Sequence, residues 1–141
     1  MNDIENFVFD AVATQLRSAY SGIFVSGEYV EVPASFPTAT IVQEDSSVLE
    51  KMSTEKRLEN ATTLLFDVNV YSNKVGYKKQ QAKEIMSTID EKMAELGFTR
   101  IFCNPMPNLM DSTIFRLSAR YRGVVMKETN NTDTTMRIYQ N

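Results

Sequence analysis

The sequence predicts an α+β fold, a mainly antiparallel sheet with an N-terminal helix and one long central helix packed on one face. Residues 63–71 alternate between apolar and polar side chains, which is the period of a half-buried strand. Residues 77–96 instead carry apolar side chains every three or four positions, as an amphipathic helix does. A helix laid over one face of an antiparallel sheet buries both apolar sets. The apolar set of the strand is Leu64, Phe66, Val68 and Val70.

Length and composition fit a single domain covering residues 1–141. A chain of 141 residues with 43% hydrophobic content buries roughly two-thirds of its unfolded surface. The formal net charge of −3 provides no overall attraction to nucleic acid or to an anionic membrane. The single cysteine, Cys103, excludes an internal disulfide and is expected to pack as a small hydrophobe. With an acidic N-terminus and no long apolar run, we expect a protein folded in a reducing cytoplasm, with no membrane partner.

The first half of the chain predicts a helix and two strands before the long loop. The helix covers residues 3–20, and its apolar stripe includes Phe7, Val8 and Val12. A strand follows at residues 23–30, and two prolines in residues 32–37 then interrupt regular structure. Residues 38–43 are rich in β-branched side chains and predict the next strand.

A long polar loop is predicted at about residues 44–60. It has mixed charge and few apolar side chains, and connections of this length are usually functional or mobile. Its apolar residues, which include Leu49 and Met52, give it some capacity to dock on a partner. Two interpretations stay open: a solvated hairpin loop, or an arm that contacts a partner.

The second half predicts the central helix followed by three strands. Gly97 follows the helix, where a left-handed cap favours glycine. Residues 98–103 predict a short strand, and residues 104–111, with two prolines, an irregular link. A long strand is predicted over residues 114–126, and a last edge strand over residues 134–139.

The long strand carries the most concentrated feature of the sequence. Alternation places Arg116, Arg120 and Arg122 on one face of it. Asp67 and Asn69 of the first strand, or acids of a neighbouring subunit, are possible partners, because the guanidinium fork matches a carboxylate. A solvent-exposed face and a face that meets passing DNA are the other interpretations.

Lys78 and Lys79 open the central helix, where cations oppose the helix dipole at a cost of a few tenths of a kcal/mol each. One interpretation is an ordinary solvated helix end. The other is a subunit interface in which the neighbouring chain supplies acids.

The residue types needed for several kinds of catalysis are missing. The chain has no histidine, which is the commonest general base near neutral pH and a frequent metal ligand. A Ser-His-Asp site, a Cys-His site and a zinc site of His and Cys therefore cannot be built. The sequence also lacks a glycine-rich phosphate-binding motif. We predict a protein that is not an enzyme, with no cofactor, no metal and no catalytic residues.

The order of the predicted elements resembles a known family, the tail-terminator proteins of long-tailed bacteriophages, also described as tail-completion or minor capsid proteins. The similarity lies in packing and length patterns and spans most of the chain. The segments that carry it are residues 36–43, 66–73, 77–86 and 111–123.

The resemblance implies a structural protein of virion assembly. Such proteins form a hexameric ring that caps the head-proximal end of the tail tube, ends tube polymerisation and joins the tail to the head. The partners implied are other copies of the chain, the tail tube protein, head–tail connector proteins, and DNA that passes transiently through the channel. The implied location is the virion tail, after assembly in the bacterial host cytoplasm. Our candidates for subunit or tube contact are Arg116, Arg120, Arg122, Asp67, Lys78, Lys79, Leu49 and Met52.

Two further functions stay open at this point. The first is another ring protein of the neck, a head–tail connector or stopper, which differs from a terminator in what it binds first. The second is a cytoplasmic ligand-binding domain, in which Tyr71 or Tyr121 on the sheet lines a pocket. The assembly state separates them, because a pocket protein has no need of a ring.

Overall fold

The computed structural model describes residues 4–48, 61–107, 111–129 and 134–139, and the side chains of residues 45–48, 61, 126–129 and 134–139 are not part of that description. Two helices and six strands follow one another along the chain. They are α1 (Ile4–Ala19), β1 (Phe24–Ser26), β2 (Thr38–Val48), β3 (Ala61–Ser72), α2 (Lys78–Glu95), β4 (Thr99–Met106), β5 (Phe115–Thr129) and β6 (Thr134–Tyr139).

The strands form one sheet in the order β1-β2-β3-β5-β4, with β6 also paired to β5. β1 lies parallel to β2, and the other pairs are antiparallel. β4 pairs with residues 116–122 of β5, and β6 pairs with residues 124–129. β5 therefore lies in the middle of the sheet and holds β3 along one edge, with β4 and then β6 along the other.

The two helices lie together on one face of the sheet and enclose the core. α2 contacts β3, β4 and β5, and α1 contacts α2 and β2. On β3 and β5, facing pairs such as Phe66 with Tyr121 and Val68 with Ala119 are almost completely buried. The alternation predicted for both strands is confirmed, and so is the α+β fold with helices on one side of the sheet.

α2 buries the apolar stripe that its sequence predicts. Its buried residues are Ala82, Ile85, Met86, Ile89 and Met93. The helix stops as predicted at Gly97, whose φ of 98° lies in the left-handed region that glycine adopts without steric cost. The Phe98 N–H then donates to the Met93 carbonyl oxygen at 2.8 Å, which closes the end of the helix.

α1 agrees with its predicted span but not with every residue of its predicted stripe. Val8, Val12 and Leu16 are fully buried, as expected. Phe7 is 54% exposed, so its predicted place in the core is wrong. Residue 7 lies far around the helix from residues 8 and 12, because successive residues turn by about 100°.

Several strand boundaries differ from those predicted. β1 ends at Ser26, four residues early, because residues 27–37 cross the sheet face as an irregular segment that includes a cis Phe36–Pro37 peptide. β4 continues to Met106, through a proline that an edge strand tolerates. β2 continues to Val48, so the first residues of the predicted 44–60 loop are strand, and residues 49–60 lie outside the described chain. The predicted edge strand at residues 134–139 is confirmed.

The sheet runs on past the end of α2. α2 ends at Glu95, and the ring of Phe98 packs on Gly123 of β5. Beyond Val125, the last buried core residue described on β5, the strands continue for several residues. We call residues 46–48, 61–62, 126–129 and 134–137 the β extension. β2 and β5 end here, and β3 and β6 begin here.

Candidate interaction surface

The sheet face opposite the helices brings four of the eight predicted interface residues together. The strand register pairs Asp67 with Arg120, Asn69 with Ser118 and Tyr71 with Arg116. Alternation places these side chains, and Arg122, on the side away from the core. We call Asp67, Asn69, Tyr71, Arg116, Arg120 and Arg122 the arginine face.

Arg120 and Asp67 form a two-pronged ion pair at the middle of the arginine face. Arg120 Nε donates to Asp67 Oδ1 at 2.6 Å, and a terminal guanidinium nitrogen donates to Oδ2 at 3.1 Å. The side chains are 38% and 22% exposed, so the pair is only partly shielded from water. The Arg120 guanidinium also lies 5.8 Å from the centre of the Phe102 ring. The hydrogen bond to Asp67, aided by its charge, raises the pKa of Arg120.

Glu44 also contacts this pair, which was not predicted from the sequence. The β2–β3 register shifts between Gln43 and Asp45, and Glu44 lies at that irregularity. A hydrogen bond to Asp67, then some desolvation and the charge of Asp67, raise the pKa of Glu44. Glu44 falls in the predicted polar loop, whereas the structure places it in β2 with an exposed side chain. Only the strand pairing of β2 and β3 reveals that two carboxylates meet beside Arg120.

Arg116 occupies the other half of the arginine face, which the irregular segment 27–37 covers. Arg116 Nε donates to Asn69 Oδ1 at 2.9 Å. Its guanidinium lies 5.4 Å from the ring centre of Tyr29 and 5.7 Å from that of Tyr71. The Tyr71 hydroxyl donates to the Val30 carbonyl oxygen and ties the covering segment down. Burial raises the pKa of Tyr71 to about 12.

Arg122 differs from the other two arginines because its side chain is exposed. Among the side chains that the structure describes, no carboxylate lies within ion-pair distance of Arg122. The predicted pairing with Asp67 and Asn69 is therefore correct for Arg120 and Arg116. Arg122 is exposed in the isolated chain, and its contact with a neighbouring subunit or with DNA stays a prediction.

Lys78 and Lys79 lie apart from the arginine face, at the start of α2. Tyr77 occupies the N-cap without a side-chain capping bond, and the first turn holds no acid. Lys78 Nζ donates to the Thr113 carbonyl oxygen at 3.0 Å, and Lys79 is exposed. The remaining predicted contact residues, Leu49 and Met52, lie outside the described chain.

A cleft of about 400 Å³ separates α2 from β4. Its charged residues are Lys79, Lys83, Asp90 and Arg100. Arg100 lies 3.5 Å from Asp90 Oδ1, the same oxygen that accepts the Tyr121 hydroxyl hydrogen bond at 3.1 Å. The cleft residues come from α2, β4 and β5, which the sequence separates, so only the fold brings them together.

Tyr71 and Tyr121 do not line an open pocket. They are 0% and 1% exposed, and each hydroxyl donates to an acceptor within the chain. Burial, and secondarily the charge of Asp90, raise the pKa of Tyr121. The expectation that one of these rings lines a ligand pocket is therefore wrong.

Comparison with known proteins does not assign the chain to a family. No protein-family profile matches it, and no curated protein is a significant match. Within residues 4–48, 61–107, 111–129 and 134–139, no three histidine, cysteine or acidic side chains are grouped as a metal site. None of the described helices is both long and apolar enough to cross a membrane.

Proposed function

We propose that this protein is a structural component of bacteriophage assembly, a tail terminator that forms a ring on the head-proximal end of the tail tube. The observation that carries the proposal is the β extension, on a fold whose order of elements resembles that family. The proposed partners are further copies of the chain, the tube protein, the head–tail connector and DNA passing through the channel.

The β extension supports an assembly role because a sheet gains stability by packing one face on a second layer. α2 provides that layer as far as Phe98 and Gly123. Past that point the strands continue, and in the assembly a neighbouring subunit or the tube end would pack against them. Edge strands and ribbons that project in this way are common places for one chain to pair with another.

The arginine face supports the same role because its side chains are already held in place. Asp67 fixes Arg120, and Asn69 fixes Arg116. A partner that contacts this face loses less side-chain entropy than it would on free arginines. Arg122, which is exposed, is the arginine best placed to form a new ion pair with a neighbour.

The mechanism is geometric and involves no reaction. Copies joined head to tail by one repeated contact close into a ring when the rotation between them completes a circle. One side of the ring would bind the growing end of the tube, and its other side would differ from a tube end. Addition of the ring then removes the surface on which the tube protein polymerises.

The first test is the mass and shape of the purified protein, by native mass spectrometry and negative-stain imaging, alone and with short tail tubes. We expect rings with an open channel, or caps at one end of the tubes. If the protein stays monomeric and does not bind tubes at any salt concentration, the proposal is ruled out. Rings that ignore tubes but bind a portal complex would identify a connector instead.

The second test is a charge reversal, Arg122→Glu, with Arg17→Glu on the exposed side of α1 as the matched control. Loss of a rim ion pair changes association by about 1 kcal/mol or more, so ring assembly or tube capping should weaken at least roughly fivefold. Circular dichroism should be unchanged in both variants. Equal assembly of the two variants would remove Arg122 from the contact. Arg120 is unsuitable for this test, because its reversal would place a third carboxylate beside Asp67 and Glu44.

A further inference from the structure

We infer that the cleft between α2 and β4 receives residues 28–32 of a second copy of this chain, as a head-to-tail contact. This inference rests on the proposed function and names a surface through which the ring would close. It goes beyond the arginine face and the β extension, because the cleft lies on the helix side of the sheet, at its β4 edge.

The first argument is the uneven charge of the cleft. Lys79, Lys83 and Arg100 line it together with a single acid, Asp90. Asp90 is already engaged by Arg100 and by the Tyr121 hydroxyl. Among the described side chains, no carboxylate lies within ion-pair distance of Lys79 or Lys83. A chain with a net charge of −3 thus concentrates unmatched cations at one place, where a carboxylate from another molecule would pair with them.

The second argument is the apolar part of the same cleft. Met86 of α2, Leu117 of β5 and Pro105 of β4 line it beside the cations. Ile101 and Met106 of β4 are neighbours in sequence of the cleft residues Arg100 and Pro105, and they are 51% and 43% exposed. Met86 and Leu117 are already buried, so the exposed apolar side chains here are Ile101 and Met106. An occupant with both carboxylates and an apolar side chain would pair with the cations and cover these two, whereas a small inorganic anion would leave them exposed to water.

Residues 28–32, Glu-Tyr-Val-Glu-Val, have this chemistry. The carboxylate-bearing Glu28 and Glu31 are exposed, and Val32 is 45% exposed. Around them, residues 4–37 contain four acids and one base, so this part of the chain carries a net negative charge. Tyr29 and Val30 anchor the segment through Arg116 and Tyr71, which presents the acids on a fixed backbone.

The third argument is the position of the two surfaces in the sheet. Residues 28–32 lie over Tyr71 and Arg116, on the sheet face opposite the helices, whereas the cleft lies beside β4 on the helix side. A contact between different surfaces of identical copies is heterologous, and it can repeat until a ring closes. β4 has a register shift between Arg100 and Phe102, and it contains Pro105. Both features disfavour simple addition of a further strand, so the contact would run through side chains.

The cleft contains Cys103, the only cysteine of the chain, and this provides a direct test. Glu28→Cys and Val32→Cys each place a second thiol on the proposed occupant, and Thr14→Cys on the exposed side of α1 is the matched control. A short bismaleimide, applied to assembled protein at mildly alkaline pH to offset the raised pKa of Cys103, should join neighbouring copies. We expect a ladder of covalent oligomers with the first two variants, at least about tenfold faster than with Thr14→Cys.

A charge exchange completes the test. Lys79→Glu with Lys83→Glu, or Glu28→Lys with Glu31→Lys, should each weaken association at least about tenfold, because like charges would face each other. One chain that carries all four changes should regain association. Rings that form normally in each pair of variants, with no cross-linking preference, would overturn this inference and leave the proposed function standing. A wild-type chain that never associates would overturn the proposed function itself.

Discussion

Gly123 is a tightly packed position between the sheet and the chain that follows α2. A Cβ atom added to Gly123 would lie 2.6 Å from two ring carbons of Phe98 and 3.0 Å from a third. Phe98 is 4% exposed and meets Phe66 edge to face, with ring centres 5.3 Å apart. The ring therefore has little room to move, and we predict that Gly123→Ala destabilises the protein.

The size of the effect follows from these contacts. Overpacking a core position typically costs about 1–3 kcal/mol. Displacement of Phe98 would also weaken its edge-to-face contact with Phe66, which contributes about 0.5–1.5 kcal/mol. We expect a total of roughly 2–3 kcal/mol, which corresponds to a fall in Tm of roughly 6–10 °C for a domain of this size.

Urea denaturation followed by circular dichroism, at several protein concentrations to separate folding from assembly, measures this loss. Gly27→Ala is the matched control, because an added Cβ there would meet only Phe9, at an ordinary 3.7 Å, and the Ile41 carbonyl at 4.0 Å. In a Phe98→Leu background, Gly123→Ala should cost less than about 1 kcal/mol. Wild-type stability for Gly123→Ala, or the same cost in both backgrounds, would refute the argument.

Two further predictions concern titrating groups. Tyr71→Phe should lower the free energy of unfolding by about 1–2 kcal/mol, because the Val30 carbonyl loses its hydrogen bond. In the wild type, stability should fall as the pH rises from 10 towards the Tyr71 pKa of about 12, because Tyr71 ionises first in the unfolded chain. Denaturation at stepped pH checks both, and a wild-type and Tyr71→Phe pair with the same alkaline profile would contradict them. In Asp67→Asn the pKa of Glu44 should fall towards its ordinary value, because Asp67 is the main cause of the elevated pKa. Carbon-detected NMR at stepped pH measures the pKa of Glu44. In the wild type, the raised pKa of Glu44 stabilises the folded state at acid pH, and this stabilisation is lost as the pH rises through the folded-state pKa of Glu44. If the pKa of Glu44 is unchanged in Asp67→Asn, a group other than Asp67 raises it.

Local patterns were enough to predict the helices and the two faces of the central strands. The spacing of apolar residues predicted α2, and the glycine that follows the last apolar residue predicted that the helix ends at Gly97. Alternation in β3 and β5 also placed Asp67 and Arg120 on the same side of the sheet. Both signals depend on neighbours within a few residues, so they can be read without knowledge of the fold.

The features that were missed depend on contacts between distant parts of the chain. Polar composition in residues 44–48 predicted a loop, but pairing with β3 makes them strand, since backbone hydrogen bonds outweigh weak β-propensity. The meeting of Glu44 with Asp67 follows from a register irregularity that composition does not encode. The cleft beside β4 needs α2, β4 and β5 in place together, and it escaped prediction for the same reason.

The internal pairing of the arginine face changes how that face would contribute to assembly. The Arg120 guanidinium already forms two hydrogen bonds with the Asp67 carboxylate. A neighbouring molecule that contacts Arg120 therefore gains little additional electrostatic energy. The pair instead fixes the shape and charge of the middle of β5. New attraction must then come from other charges, and the described side chains offer Arg122 on this face and Lys79 and Lys83 in the cleft. We therefore expect the salt dependence of assembly to weaken when these three side chains are neutralised, and to survive when Arg120 and Asp67 are replaced together by an uncharged pair.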